Sequence, residues 1–258
     1  MKVAEIVKLL EGECPKALAE DWDNSGLLVG DSSAEVKKVY IALDATSEVI
    51  RDAIDNEADM LITHHPLIFK GVKEVTDNSF VGRRVMALIQ NNVAFFCMHT
   101  NFDAAKMSEI VRKKLSLPEG IILLPSKEDP DKGIGMTCHI PDVMTLEGFS
   151  MKVKDALSLS NIRVFGDLSM KVSIVSFLPG SGKSDIDTAI AQGADCYITG
   201  DVDHHSGLDA VEKGIGVIDA GHYGMERFFI EYVSLFLKGN TGSLEIVTAP
   251  VKPPYHEL

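Results

Sequence analysis

The sequence predicts an α/β protein made of two similar domains. Three observations lead to this prediction: short apolar runs alternate with helical patterns, the same order of elements occurs twice, and each copy ends in a loop that carries a histidine. Strands that alternate with helices favour mostly parallel sheets flanked by helices. At 258 residues the chain is long enough for two domains of ordinary size.

The elements follow in order from the spacing of apolar residues. Met1–Leu10 mixes charged and apolar residues with helical spacing, which predicts an amphipathic helix rather than a signal peptide. The short, continuous apolar runs are typical of buried strands. They predict strands at Lys38–Ile41, Met60–Ile62, Val93–Phe96, Gly135–Ile140, Lys171–Ile174, Ile215–Ile218 and Leu244–Thr248, with further helices at Ala104–Lys114, Thr145–Leu157 and Tyr223–Lys238.

A faint internal duplication supports the two-domain prediction. Ile50–Thr63 can be laid over Ile186–Thr199 without a gap, and seven positions then agree. The match extends outward in the same order, with Lys38–Ile41 over Lys171–Ile174 upstream and Val93–Phe96 over Ile215–Ile218 downstream. Each half is therefore predicted to be β-α-β-α-β.

The duplication also suggests domain boundaries. We expect a first domain at residues 1–125, completed by the C-terminal segment 223–258, and a second domain at residues 126–222. The final predicted strand, Leu244–Thr248, is a candidate to pair with the first sheet.

The composition excludes several classes of partner. The net charge is −13, which argues against electrostatic binding to nucleic acid or to an anionic membrane. No apolar stretch approaches the roughly 18–20 residues of a membrane span. The four cysteines are far apart and form no C-x-x-C pair, so we expect buried, reduced thiols in a cytoplasmic protein.

Three separated segments carry metal-type ligands directly after predicted strands. They are Ile62–Pro66, His99–Asp103 and Asp219–Glu226. In α/β proteins, ligand sites gather at the carboxyl ends of strands. Imidazole and carboxylate without thiolate are ligands typical of Zn, Fe, Mn or Co, so the three segments together predict a two-metal site.

Each segment also has an ordinary structural interpretation. His64 and His65 would point to opposite faces within a strand, but at a strand end they can face one cleft and serve two metals; alone, they fit a polar turn. His222 and Glu226 are four residues apart, which places them on one face of a helix as ligands or as a local cap. Asp103 fits either a ligand or a capping turn.

Two further motifs offer other possibilities. Gly180–Ser184 resembles the end of a phosphate-binding P-loop, but the full pattern needs a glycine where Phe177 stands, which argues against a nucleoside-triphosphatase. Weak anion binding by the backbone N–H groups of this segment is the alternative. Asp201–His205 falls where His64 and His65 fall in the first half. Its histidines, His204 and His205, are interpreted as pocket-lining residues, with metal ligation or a solvated helix start as alternatives.

At this point the motifs resemble a known family, the GTP cyclohydrolase I type 2-like, or Nif-three-like, dinuclear-metal proteins. The matching segments extend over nearly the whole chain, in order. They are Asp23–Gly30, Leu43–Thr46, Thr63–Leu67, His99–Asp103, Gly180–Gly182, Ala194–Asp201 and Gly221–Glu226.

The resemblance implies two intertwined α/β domains with a dinuclear site between them. It implies His64, His65, Asp103, His222 and Glu226 as ligands of two divalent ions per chain, with Glu226 bridging. It also implies a ring-shaped homohexamer. It does not fix the metal, which could be Zn, Fe, Mn or Co, or the reaction.

Two classes of function follow. The first is a metal-dependent hydrolase that acts on a small nucleotide-like or phosphoester substrate through a metal-activated water, with His99, His204 or His205 as the proton-transfer group. The second is a non-catalytic metal carrier or regulatory assembly that uses the same ligands. A catalytic site should present a substrate pocket beside the ligands, whereas a carrier should lack one.

Overall fold

The computed structural model describes residues 1–253 and 255 and has the predicted α/β composition. In chain order its elements are α1 Val3–Glu13, β1 Gly26–Val29, β2 Lys38–Ala42, α2 Ser47–Asp55, β3 Met60–Thr63, α3 Phe80–Gln90, β4 Ala94–Cys97, α4 Thr100–Phe102, α5 Ser108–Lys114, β5 Ile121–Pro125, β6 Gly133–Thr145, α6 Leu146–Ala156, β7 Arg163–Phe165, β8 Lys171–Phe177, α7 Ile186–Ala191, β9 Cys196–Thr199, α8 His204–Glu212, β10 Gly216–Asp219, α9 His222–Glu226, α10 Phe228–Asn240 and β11 Glu245–Thr248. A π-helical segment, Asp103–Met107, connects α4 to α5, and short 3₁₀ turns occupy Lys16–Leu18 and Lys183–Asp185.

The chain divides into two compact units. The first comprises Met1–Ala105 and Phe228–Lys252; the second comprises Lys106–Arg227 and the described residues after Lys252. The first division therefore falls earlier than the boundary expected after residue 125. The reason is that α5 contacts β6 and β5 pairs antiparallel with β6, so both elements belong with the second sheet.

The first unit contains a five-stranded sheet in the order β1-β4-β3-β2-β11. β2, β3, β4 and β11 run parallel, and β1 is antiparallel to β4 at one edge. β3 is buried along its whole length, which explains its continuous apolar sequence. β11 pairs with β2, which confirms that the final strand returns to the first sheet.

The second unit contains a six-stranded sheet in the order β5-β6-β8-β9-β10-β7. β8, β9 and β10 form its parallel centre, and β5, β6 and β7 extend it with antiparallel pairs. Its largest fully buried side chains include Tyr197 and Phe177. Both sheets therefore place three parallel strands, joined by helices, at the centre of the unit.

The internal duplication is visible in the hydrogen bonds. Asp59, just before β3, accepts the backbone N–H groups of Lys37 and Lys38 at 2.7 and 2.9 Å. Asp195, its counterpart before β9, accepts those of Ser173 and Ile174, both at 2.8 Å. Both units thus use one aspartate to join the same two strands.

The strand registers confirm most of the sequence alignment and correct one part of it. Met60 pairs with Ala94 and Cys196 pairs with Gly216, as the downstream alignment predicts. Upstream, Val39 pairs with Met60 while Val175 pairs with Cys196. The counterpart of Val39 is therefore Val175 and not Val172, so the alignment of Lys38–Ile41 over Lys171–Ile174 was wrong by three residues. β8 contains the triplet Val-Ser-apolar twice, at residues 172–174 and 175–177, and both copies match the Val-x-apolar pattern of residues 39–41.

Two predicted helices differ in their bounds. The helix expected at Tyr223–Lys238 is split at Arg227 into α9 and α10. The helix expected to start at Ala104 begins at Thr100 and passes through the π-helical segment. Within residues 1–253 and 255, no helix has the length and apolar character needed to span a membrane.

Candidate metal-binding site

In the first unit, the end of β3 turns His64 and His65 toward each other. Both backbone N–H groups donate to the carbonyl oxygen of Leu43, at 3.2 and 3.0 Å. The hydroxyl of Thr63 donates to the carbonyl oxygen of His65 at 2.7 Å. This tight turn leaves the two imidazole centroids 4.9 Å apart, so the strand's alternation no longer separates the rings.

His99 joins this pair from the neighbouring strand. It follows β4, and its ring lies 5.3 Å from that of His64 and 5.5 Å from that of His65, measured between centroids. Each of the three histidines offers a ligand atom, and these atoms lie within 4.8 Å of one another. His64 is buried and the other two are half-buried. A set of three imidazoles this close fits a divalent metal ion.

Each of these rings is held by an oxygen acceptor at Nδ1. His64 contacts the carbonyl oxygen of Met98, His65 contacts Asp44 Oδ1, and His99 contacts Asp23 Oδ1, all at 2.8 Å. A carbonyl or carboxylate oxygen accepts, so the proton lies on Nδ1 and the Nε2 lone pair is the one that would bind a metal. Such outer contacts are typical of metal-binding histidines.

Asp23, the acceptor for His99, takes part in several hydrogen bonds. It accepts hydrogen bonds from His99, from the Ser25 hydroxyl at 2.8 Å and from the Thr100 hydroxyl at 2.7 Å, and its side chain is fully buried. Burial alone would raise the pKa of this carboxyl, but the contacts with His99, Thr100 and Ser25 outweigh it and hold the pKa well below its usual range. Asp23 is therefore an ionised anchor for the His99 ring.

Asp103 also belongs to this part of the first unit. Its Oδ1 lies 3.5 Å from Nε2 of His64, and its side chain is buried. The capping interpretation is contradicted, because the N-cap position of α4 is His99 and Asp103 starts the π-helical segment. Single π-helical turns within helices are frequent at functional sites.

The second unit contains the other predicted ligands, His222 and Glu226. They lie at opposite ends of α9, and His222 Nε2 is 2.9 Å from Glu226 Oε2, as their spacing predicted. His222 Nδ1 donates to Asp201 Oδ2 at 2.8 Å, which repeats the histidine–carboxylate contact seen for His65. Glu226 is buried.

Gly180 leaves the space that Glu226 occupies. A Cβ at Gly180 would lie only 2.3 Å from Glu226 Oε1, and the backbone there has a φ of +76°. Gly200 has a related role, because a Cβ there would lie 2.4 Å from the backbone nitrogen of His222. Both glycines therefore let the loops after β8 and β9 approach α9 closely.

His204 and His205 lie elsewhere in the second unit. Both are exposed at the start of α8, where Asp203 caps the helix by accepting from Ser206 N–H at 3.0 Å. Among the described residues, neither belongs to a cluster of metal-type ligands. The position matches the solvated helix start that the sequence left as an alternative.

Polar groups of the Gly180–Ser184 loop form hydrogen bonds with other parts of the second unit. The N–H of Gly182 donates to Thr199 Oγ1 at 2.9 Å, and its carbonyl accepts from the Tyr197 hydroxyl at 2.9 Å. Lys183 pairs with Asp203 at 2.9 Å. The helix that follows, α7, is only six residues long. These contacts give the loop a structural role rather than that of a phosphate cradle.

The cysteines are not candidates for a nucleophile. Cys14, Cys97, Cys138 and Cys196 are all buried and carry reduced thiols. Burial raises the pKa of Cys97 to about 12 and that of Cys138 to about 11, so neither thiol is ionised near neutral pH.

The comparisons with known proteins agree with these motifs. A model of the Duf34/NIF3 (NGG1p interacting factor 3) family matches residues 1–254. The chain belongs to the Duf34/NIF3 family. The resemblance drawn from the sequence motifs is thereby confirmed.

Relatives within the Duf34/NIF3 family cover nearly the whole chain. A Clostridium acetobutylicum protein named GTP cyclohydrolase 1 type 2 homolog is 35% identical over 96% of this chain and 94% of its own length. A Campylobacter jejuni protein with the same name is 30% identical over 99% of both chains.

Solved structures show the same fold. Staphylococcus aureus protein SA1388 superposes with a TM-score of 0.88 at 28% identity, over 100% of this chain and 99% of that one. A structure titled reduced HcgD from Methanocaldococcus jannaschii gives a TM-score of 0.82 at 32% identity, over 96% of this chain and 97% of that one.

The sequence did not identify two residues that contact the candidate ligands in the structure. Asp23 and Asp44 lie within motifs that resemble the family, but nothing in their spacing assigned them to His99 and His65. The available signal was general: a metal-binding histidine needs an oxygen acceptor at its other ring nitrogen, and an aspartate in a neighbouring strand-end loop can supply it.

Proposed function

We propose that this Duf34/NIF3 protein binds two divalent metal ions per chain. The proposed ligands are His64, His65, Asp103, His222 and Glu226, with Glu226 bridging. The support is local and chemical: each unit holds buried or half-buried imidazole and carboxylate groups in contact, and oxygen acceptors hold the three histidines at Nδ1.

We further propose that the protein is a metal-dependent hydrolase of a nucleotide-like or phosphoester substrate. Bound divalent ions would supply Lewis acidity and a water of lowered pKa. The relatives' name, GTP cyclohydrolase 1 type 2 homolog, is compatible with such chemistry. The protein's own residues would position the substrate and move protons.

His99 is the proton-transfer residue that we propose. It lies among the candidate ligands, whereas His204 and His205 are exposed at the start of α8. Asp23 fixes its tautomer through the 2.8 Å contact at Nδ1. His99→Ala should then abolish turnover while the metal content stays at two ions per chain. Loss of an ion from His99→Ala would instead make His99 a ligand.

One observation favours a hydrolase over a metal carrier. A cavity of about 380 Å³ in the first unit is lined by His65 and by Asp44, the residue that holds its ring. Pockets for small molecules are typically about 300–1,000 Å³. The wall of this cavity therefore contains a proposed metal ligand, as a substrate pocket requires.

The test is a turnover screen of the metal-loaded protein against nucleotides, cyclic nucleotides and phosphoesters. His64→Ala and His222→Ala should abolish turnover, since both are proposed ligands. Lys183→Ala is the matched control that should retain activity, because its partner Asp203 lies at the start of α8. A fully metallated protein that turns over nothing, yet passes metal readily to an acceptor protein, would establish the carrier function instead.

We also propose a homohexamer in a reducing, cytoplasmic setting. The assembly is supported by the family resemblance, and the compartment by four buried, reduced cysteines. Light scattering at micromolar concentration should report six chains; a monomer would contradict the proposal.

A further inference from the structure

The cavity beside His65 has a cationic side that the metal ligands do not explain. Arg84, on α3, lines the cavity together with Lys70 and is half-buried. Burial and the neighbouring Arg83 lower the pKa of Arg84, and the Asp44 carboxylate raises it. The Nε of Arg84 donates to the Ser47 hydroxyl at 3.0 Å, while Asp44 is in contact with His65. A partly buried guanidinium in the wall of a cavity suits an anionic ligand.

The position of Arg84 is fixed by its surroundings. Its guanidinium carbon lies 4.8 Å from the centre of the Phe80 ring, and the hydrogen bond to Ser47 restrains its Nε. Phe80 itself lines the cavity. Because the ring and Ser47 already orient the guanidinium, an anion would bind it with a smaller loss of side-chain entropy.

The N-terminus of α2 adds a second favourable feature for an anion. Thr46 is the N-cap of this nine-residue helix, accepts from Val49 N–H at 3.1 Å and also lines the cavity. The positive end of the helix dipole therefore lies at the cavity wall. The one carboxylate in the lining, Asp44, is in contact with His65.

An aromatic surface adjoins the same cavity. Phe69 lines it and is 48% exposed, although it is a large apolar side chain. Its ring lies 5.8 Å from that of Trp22 and 6.4 Å from that of His99, between centroids. Asn24 fixes this loop by donating to the carbonyl oxygen of Ile68 at 2.6 Å. Exposed aromatic rings held in place are suited to stacking on a planar ligand.

We propose that this cavity binds a phosphate-bearing ligand with a planar ring, with Arg84 contacting the phosphate and Phe69 stacking on the ring. The inference rests on the proposed function in taking His65 as a metal ligand, and it deepens that function by naming the residues that would bind the phosphate and the ring of a nucleotide-like substrate. Arg84 and Phe69 are then substrate-binding residues outside the predicted metal set.

The experiment is calorimetric titration of the full-length, metal-loaded protein with guanosine 5′-monophosphate, guanosine and inorganic phosphate at fixed ionic strength. Arg84→Gln should weaken nucleotide binding by at least about tenfold, as expected for a hydrogen bond to a charged group. Arg83→Gln is the matched control: this neighbour is exposed, donates to the Asp77 carbonyl and should change the affinity by less than about twofold. Ser47→Ala tests whether losing the Arg84–Ser47 contact alone has an effect.

Phe69→Ala should weaken guanosine monophosphate binding by about fivefold or more and leave phosphate binding unchanged, because only the base stacks. Arg84→Lys should restore part of the affinity lost in Arg84→Gln. Equal losses from Arg84→Gln and Arg83→Gln, or guanosine binding as tightly as its monophosphate, would overturn the proposal.

Metal content is measured on the same samples, so that a failure of the cavity proposal can be distinguished from a failure of the metal-binding proposal. Arg84→Gln should keep its full complement of ions while losing nucleotide affinity. A protein that holds two ions per chain but binds no nucleotide would overturn the cavity proposal and leave the metal proposal standing. Nucleotide binding that persists in the metal-stripped protein, and is lost in Arg84→Gln, would support the cavity proposal on its own.

Discussion

Replacing Asp44 with alanine should weaken metal binding without removing a ligand. Asp44 Oδ1 lies 2.8 Å from His65 Nδ1 and keeps the ring in the orientation and tautomer that direct Nε2 to a metal. Loss of such an outer contact typically costs about 10–100-fold in metal affinity. The Asp44 side chain is 44% exposed and that of His65 is 22% exposed, so solvent screens the contact. We therefore expect a loss near the lower end, about tenfold or ~1.4 kcal/mol.

The assay is competition for Zn²⁺ between the protein and a chromogenic chelator at constant pH and ionic strength. Asp44→Asn should lose less affinity than Asp44→Ala, because the amide oxygen can still accept from Nδ1. Asp31→Ala is the control: Asp31 is exposed and its carboxylate accepts from Ser33 in a turn. It should leave the zinc affinity unchanged.

A double-mutant cycle decides whether Asp44 acts through His65. In a His65→Ala background, Asp44→Ala should cost almost nothing further, since the ring that it orients is absent. If the two losses add in full, or if Asp44→Ala weakens zinc binding no more than Asp31→Ala, the orienting role is refuted.

Three other predictions concern the metal site. Elemental analysis should find about two divalent ions per chain, and only one tight ion after reloading would contradict the dinuclear proposal. Gly180→Ala should lower metal affinity because its Cβ would displace Glu226, whereas Gly214→Ala, at φ +85° with open space around it, should only lower the unfolding temperature; equal metal affinities would argue against this role of Gly180. Acidification should weaken metal binding, because protons compete with the metal for the imidazole nitrogen atoms; a metal affinity that does not fall as the pH is lowered would contradict imidazole ligation.

The sequence was sufficient to predict the scaffold because buried parallel strands have a distinctive pattern. Met60–Thr63 and Cys196–Thr199 are buried throughout, so both appear as continuous apolar runs after an Ala-Asp pair. The return of β11 to β2 was visible as well, since a short strand after a long helical pattern needs an edge to pair with. The register of β8 was harder to predict, because the pattern Val-Ser-apolar occurs twice in this strand, three residues apart.

The sequence was sufficient to predict which residues are candidate ligands, but not which other residues contact them. Strand-end positions indicated His64, His65 and His222, because the carboxyl ends of adjacent parallel strands meet at one edge of a sheet. The partners of these residues come from other loops, such as Asp23, 76 residues before His99. Such long-range contacts leave no periodic signal. The cavity beside His65 was also invisible, because it depends on how α3 packs beside α2.

Each of the two units contains a histidine held by a carboxylate, but the pair follows different strands in the two units. In the first unit the histidine, His65, follows β3 and its carboxylate, Asp44, follows β2. In the second unit the carboxylate, Asp201, follows β9, the counterpart of β3, and the histidine, His222, follows β10. Compared with the first unit, the histidine–carboxylate pair of the second unit therefore lies one strand further along the sheet.

A glycine in the loop after β8 belongs to the same difference between the two units. The loop after β8 is the counterpart of the loop that carries Asp44, but it contains Gly180, which makes room for Glu226. A Cβ at Gly180 would lie 2.3 Å from Glu226 Oε1, so a side chain there requires Glu226 to move. The second unit orients its histidine from the next loop, through Asp201. The two sheets share a centre of three parallel strands but differ in strand number, five against six, and in the loop residues that orient the histidine. An internal alignment can therefore detect the common strands but not the residues that distinguish the two sites.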